Sequence, residues 1–185
     1  MVIAAIAGGG ASDKSATSSD SASDSGASKQ SKDNGCGFKA TSDCTPRVGP
    51  DGRVRVDALI WQLKSVRKAA TLGDQTYGLG AKANGTFVIV KLRVKSDKDK
   101  SVTLTDDVVK LEVAGKTFDA DINGTTAAIG ANEDPFLLES LGPESTVTGT
   151  VVFDVPDTLI NRKLQLRFGE LGFGDTKGYI RLPSL

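Results

Sequence analysis

Across residues 53–185 apolar positions recur every second residue and are interrupted by turn residues, the pattern of strands with one buried face. Residues 86–95 are the clearest case: Val88, Val90, Leu92 and Val94 fall on one face, and Lys91, Arg93 and Lys95 on the other. Residues 53–63 alternate through Val54, Val56 and Ala58 before Leu59, Ile60 and Trp61 run on, which predicts a first strand entering the core, with Trp61 a core side chain. Residues 64–85 alternate poorly, are rich in Gly and Lys, and read as a long loop. After a polar turn at Asp97-Lys98-Asp99-Lys100, residues 102–105 are extended. Val109, Leu111 and Val113 then lead into a turn at Ala114-Gly115-Lys116, and residues 117–122 return as the second arm of a hairpin.

Residues 123–140 carry no period and read as irregular, with Phe136, Leu137 and Leu138 dipping into the core or forming one short helical turn. A turn at Leu141-Gly142-Pro143-Glu144 precedes an alternating strand over 146–155. Residues 163–168 and 179–182 supply the last strands, on either side of the glycine-rich stretch 169–178. About seven short strands with regular turns predict an all-β fold, an antiparallel immunoglobulin-like two-sheet β-sandwich.

The first fifty residues differ. Residues 11–35 hold nine serines and no Val, Leu, Ile or aromatic side chain. Such a stretch cannot bury enough apolar surface to offset its conformational entropy, so residues 11–52 read as a Ser-rich disordered tether. Before it, Met1 to Ala7 is apolar but too short to cross a bilayer. Ala5-Ile6-Ala7 fits a small-x-small cleavage site, although no Lys or Arg precedes it, and residues 1–10 read as the remnant of a signal or lipoprotein leader or as a merely apolar N-terminus. Cys36 and Cys44 enclose a polar, turn-rich loop. In an exported chain they form a disulfide worth about 2–3 kcal/mol in the chain-entropy model; otherwise they are two free thiols.

Composition narrows the chemistry. The 23 basic residues balance 23 acidic ones, so no net positive field attracts nucleic acid. Histidine is absent and Met1 is the only methionine, which removes imidazole acid–base chemistry and soft-metal sites. Oxygen-ligated hard cations remain.

The order of motifs resembles the telokin-like, immunoglobulin-like domains of unknown function found in secreted proteins and lipoproteins of Gram-positive bacteria and relatives. The residues that carry the likeness are Gly85-Thr-Phe-Val-Ile-Val-Lys-Leu-Arg-Val-Lys95, Val102-Thr-Leu-Thr105 with Val109-Lys-Leu-Glu-Val113, and Leu141-Gly-Pro-Glu-Ser-Thr-Val-Thr-Gly-Thr-Val-Val-Phe-Asp-Val-Pro156. Two positions depart from the family pattern: the turn glycine, Gly142, precedes Pro143 instead of following it, and Gly9 stands where a lipidated Cys would follow Ile6-Ala7-Gly8. The resemblance implies the sandwich fold and an extracytoplasmic location, extracellular or at the cell surface. It carries over no catalytic residue.

Asp119-Ala-Asp121-Ile-Asn123-Gly124 reproduces the opening of a calcium loop, with Glu133 and Asp134 as distant ligands, but Gly130 occupies the position of the bidentate Glu. The alternative is a strand end followed by an Asn-Gly turn. Ser65-Val-Arg-Lys68 matches a nucleophile–amine spacing without its partner motifs, and Gly78, Gly80 and Gly85 make a poor phosphate loop. Glu112, Glu133, Glu139, Glu144 and Glu170 are candidate acids, none singled out by spacing. Lys91, Arg93 and Lys95, with Lys98 and Lys100 nearby, form a basic row that is either a solvated face or a contact for anionic envelope polymers. The expected function is therefore a non-enzymatic, exported or cell-surface binding or scaffolding module, attached through its N-terminus, with no catalytic residue and no cofactor beyond a weak calcium site. Its partner would be a protein or an envelope polymer, and not nucleic acid. The rival expectations are a secreted hydrolase using acidic residues and a calcium-stabilised structural module.

Overall fold

The computed structural model describes residues 36–131, 133, 134, 136, 140–172 and 174–185. In chain order its elements are β1 (Arg47–Val48), β2 (Arg53–Val56), β3 (Leu59–Leu72), β4 (Ala81–Ser96), β5 (Val102–Thr103), a 3-10 turn (Asp106–Val108), β6 (Val109–Val113), β7 (Lys116–Phe118), α1 (Ile122–Gly130), β8 (Ser140–Leu141), β9 (Thr146–Val155), β10 (Leu164–Gly169) and β11 (Lys177–Arg181). One sheet has the order β2-β3-β4-β9 and a second the order β1-β11-β10-β6-β7, while β5 and β8 form a small pair. All pairings are antiparallel except β1 with β11. The predicted two-sheet sandwich is the architecture found.

Period-two patterning builds the core. Val88, Val90, Leu92 and Val94 of β4 are fully buried and face Leu111, Leu166, Phe168 and Ile180 of the other sheet within one cluster. Trp61 of β3 packs on Phe168, with ring centroids 4.9 Å apart, and on Phe136 at 5.5 Å.

Three expectations are corrected. Residues 64–85 are not a long loop, since β3 continues to Leu72 and β4 begins at Ala81. Bulges between Leu63 and Ser65 and between Ala69 and Thr71 break the alternation, which is why the strand escapes a period-two reading. Within 123–140, residues from Ile122 to Gly130 form α1 in place of irregular chain. Helix propensity does not account for it, because Gly, Thr and Asn are poor formers. Its Ala127 and Ala128 instead cover Phe87, Ile89 and Val152, an apolar patch on the outer side of the four-stranded sheet. Phe136 is buried as expected; Leu137 and Leu138 lie outside the described residues.

The third correction concerns residues 36–52, which pack on the sandwich. Ala40 donates to the carbonyl of Arg55 at 2.8 Å, Arg55 donates to Phe38 at 2.7 Å, and β1 pairs with β11. Ala40 and Val48 join the core. Strands β2 and β11 would otherwise expose unpaired backbone groups, and this segment satisfies them. Cys36 and Cys44 form a disulfide with Cα atoms 5.5 Å apart. The leader expected at 1–10 and the tether at 11–35 lie outside the described residues.

Candidate functional site

Because Val90, Leu92 and Val94 point inward, Lys91, Arg93 and Lys95 stand on the outer face of the four-stranded sheet. The register orders their neighbours in rows. Lys95 lies between Ile60 and Thr146, Arg93 between Gln62 and Thr148, and Lys91 between Ser65 and Thr150. On β2, Val54 and Val56 are buried, so Arg53 and Arg55 face outward, Arg53 beside Gln62 and Arg55 beside Ile60. One row thus reads Arg53, Gln62, Arg93, Thr148 across the sheet. With strands about 4.8 Å apart, the two arginines are rooted roughly 10 Å from each other.

Ion pairs divide this face. Lys95 Nζ lies 2.9 Å from Asp97 and 3.3 Å from Glu144, and Arg55 lies 2.8 Å from Asp97. The bond to Asp97, then that to Glu144, holds the Lys95 ammonium above its ordinary pKa, and the same bond holds the Asp97 carboxyl below its own. Glu133 receives Lys91 at 3.4 Å, Arg67 at 3.5 Å and a hydrogen bond from Thr150 Oγ1 at 3.0 Å. Burial alone would raise its pKa, but the donors Thr150 and Lys91, with the nearby charges, outweigh burial and leave it lowered. Lys91 and Lys95 are therefore largely compensated. Arg53 and Arg93 are exposed and make no ion pair among the described residues. The sequence does not single out Arg53, because residues 53–63 read there as one strand entering the core; the chain instead turns at Asp57 and Ala58 into the antiparallel pair β2 and β3, and the odd position of Arg53 relative to Val54 and Val56 is the signal that places it on the outer face.

The calcium trio is not brought together. Asp121 is the N-cap of α1, its carboxylate accepting the Gly124 N–H at 2.6 Å. Asp119 pairs with Lys110. Asn123 sits in the first helical turn and lines a hollow with Leu79 and Ile129, whereas Asp121 lines a different one. The Asp-x-Asp-x-Asn-Gly spacing is used as a helix start. Glu133 is turned to Lys91 and Thr150, and Asp134 offers its carbonyl to the Thr150 N–H at 2.7 Å. Among the described residues no three His, Cys, Asp or Glu side chains gather as a metal-binding group.

The remaining motifs are dispersed. Ser65 and Lys68 lie on a strand, three residues apart and so on opposite faces, not one turn apart on a helix. Gly78 and Gly80 belong to the β3–β4 hairpin tip and Gly85 to β4. Glu112, Glu133 and Glu144 each sit with separate cations, and Glu139 lies outside the described residues. A hollow of about 440 Å³ collects Asp121, Asp154 and Asp157. Their oxygens serve the fold: Asp154 accepts the N–H groups of Asn84 and Gly85 at 2.8 and 3.0 Å, and Asp157 accepts the Thr86 hydroxyl at 2.6 Å.

A family model described as "Domain of unknown function (DUF4352)" matches residues 51–178. The chain belongs to this family. Solved structures similar in fold include MPT63, a secreted protein from Mycobacterium tuberculosis, at 12% identity and a TM-score of 0.54, covering 76% of this chain and 100% of that one. The yjhA protein from Bacillus subtilis is similar at 10% identity and a TM-score of 0.55, covering 74% and 99%. A candidate lipoprotein from Bacillus subtilis, ycdA, aligns at 12% identity and a TM-score of 0.52 over 71% of this chain but only 38% of its own length. At these identities the likeness is one of fold. No curated protein matches the chain. None of these descriptions names an enzymatic activity. Among the described residues no helix is long and apolar enough to cross a membrane.

Proposed function

We propose that the protein is an exported, non-enzymatic binding domain that holds an anionic envelope polymer on the outer face of its four-stranded sheet. The observation that carries this reading is the row Arg53, Gln62, Arg93, Thr148: two exposed guanidinium groups with no counter-ion among the described residues, separated and flanked by hydrogen-bonding side chains. A guanidinium presents paired N–H donors that fit phosphate or carboxylate oxygens, and two of them on a rigid sheet keep a fixed spacing. Exposed charges of this kind give weak, salt-sensitive contacts, suited to retention along a repeating polymer. The disulfide favours an oxidising compartment, and the secreted and lipoprotein-like relatives in fold support a location outside the cytoplasm, with the N-terminal segment as the means of attachment.

The test is retention on immobilised polyglycerol phosphate beside a neutral polysaccharide. The Arg53→Ser/Arg93→Ser variant is expected to lose retention and its salt dependence while keeping the wild-type thermal transition. Equal retention of the variant and the wild type overturns the assignment.

A further inference from the structure

Strand β2 covers only Leu59 to Gln62 of β3. From Leu63 to Thr71 that side of β3 carries no strand and makes no backbone hydrogen bond among the described residues. The direction of the free groups follows from the ladder. Arg55 turns its N–H and C=O away from β3, toward Phe38 and Ala40, so Ile60 opposite it bonds toward β4. Carried through the pairs Gln62–Arg93, Ser65–Lys91 and Arg67–Ile89, the alternation leaves the N–H and C=O of Val66 and Lys68 facing outward. The bulges at either end bound a regular stretch of β3 from Ser65 to Ala69.

The opposite edge of this sheet is covered at Thr150 and Val152. On β9, Thr150 bonds to the backbone of Asp134 and Phe136, and Val152 bonds to Asp121 and the Thr125 hydroxyl. Among the described residues nothing covers β3 from Ser65 to Ala69 in this way, and the charge of that edge selects what can sit there. Lys64 and Lys68 are exposed along it with Arg67, and no acidic residue lies between positions 58 and 73; from elsewhere in the fold only Glu133, 3.5 Å from Arg67, and the Leu185 carbonyl, 3.2 Å from Lys68 Nζ, reach these cations among the described residues. Antiparallel pairing of two copies about Arg67 would set Arg67 against Arg67 with lysines on both sides, and like charges directly opposite are destabilising. We propose that residues 64–70 of β3 accept an extended acidic segment of a partner protein as an added strand. Its backbone would bond Val66 and Lys68, while its carboxylates would join Glu133 at Arg67 on one face and displace the Leu185 carbonyl from Lys68 on the other.

The probe is a capped octapeptide alternating Glu and Thr, with two controls: the same peptide N-methylated at alternate residues, and a Lys-Thr octapeptide. In the free protein the Val66 and Lys68 amides should exchange with solvent at least tenfold faster than those of Ser65 and Arg67. Saturating Glu-Thr peptide should slow Val66 and Lys68 by tenfold or more. The Lys64→Glu/Lys68→Glu variant should lose that peptide and gain the Lys-Thr one, and Arg53→Ser/Arg93→Ser should bind the Glu-Thr peptide as wild type does. Val66 and Lys68 amides left unprotected by saturating Glu-Thr peptide, equal binding of the N-methylated peptide, or protection that appears on self-association without peptide each overturns the proposal.

Discussion

The indole of Trp61 and the ring of Phe168 meet across the sandwich with centroids 4.9 Å apart and planes inclined by 30°, tying the four-stranded sheet to the five-stranded one. Both side chains are fully buried and Trp61 is the only tryptophan, so one residue reports on the contact. Phe168→Ala is expected to lower stability by about 3–5 kcal/mol. Urea unfolding followed by Trp61 emission checks this, with a blue-shifted maximum in the folded state that moves to the red at a lower urea midpoint in the variant.

The β2–β3 turn consists of Asp57 and Ala58, both left-handed, with φ of 47° and 60°. That conformation closes a two-residue hairpin in register with its twist, yet alanine gains nothing from it. Ala58→Gly should relieve about 1–2 kcal/mol of strain against about 0.4–1 kcal/mol of added unfolded-state entropy, a net gain of roughly 0.5–1 kcal/mol. A raised urea midpoint with an unchanged slope is the expected result.

Asp121 acts as a cap, so its variants should behave as cap variants. Asp121→Ala is expected to cost about 1 kcal/mol, whereas Asp121→Asn, which keeps an accepting oxygen, should stay within a few tenths. The thermal midpoint should be the same in millimolar calcium and in EDTA. A calcium-dependent rise abolished by Asp121→Asn would restore a metal role to the loop.

Glu133 links pH to the β3–β4–β9 face. Its pKa is lowered in the fold, so its contribution is fully present above the unfolded value of about 4.3 and is lost as pH falls through the folded value. Asp97, lowered chiefly by the bond from Lys95, adds in the same direction below about 3.9. The thermal midpoint should therefore fall on acidification below about pH 4.5. Glu133→Gln should lie below wild type at neutral pH and converge with it in acid.

Replacing both cysteines tests the disulfide loop. Cys36→Ser/Cys44→Ser removes a constraint of about 2–3 kcal/mol on the unfolded chain. A cooperative transition at lower temperature is expected, with the sandwich retained. Intact mass before and after reduction and thiol blocking establishes the bond in the natively expressed protein.

The strands legible in the sequence were those whose alternation is unbroken, such as β4 from Phe87 to Lys95 and β9, because one face of each meets the core along its whole length. The outer half of β3 was hidden for the opposite reason. Two bulges shift its phase, and beyond Leu63 most of its side chains meet solvent. Helix α1 was hidden because the patch formed by Phe87, Ile89 and Val152 comes from two strands distant in sequence. The basic row was readable, but its neutralisation was not. Glu133 reaches Lys91 from 42 positions away and Glu144 reaches Lys95 from a separate turn, which leaves Arg93, and Arg53 of another strand, as the cations of this face without an ion pair among the described residues.

The parallel pairing of β1 with β11 would also determine how the domain resists a pull applied on the N-terminal side of β1 and the C-terminal side of β11. Two parallel strands pulled in this way slide past each other, so their hydrogen bonds resist together instead of opening one by one. Tension entering at Cys36 would cross the 36–44 loop through its covalent bridge before reaching β1, which shields the Lys39–Arg55 contact from the pull.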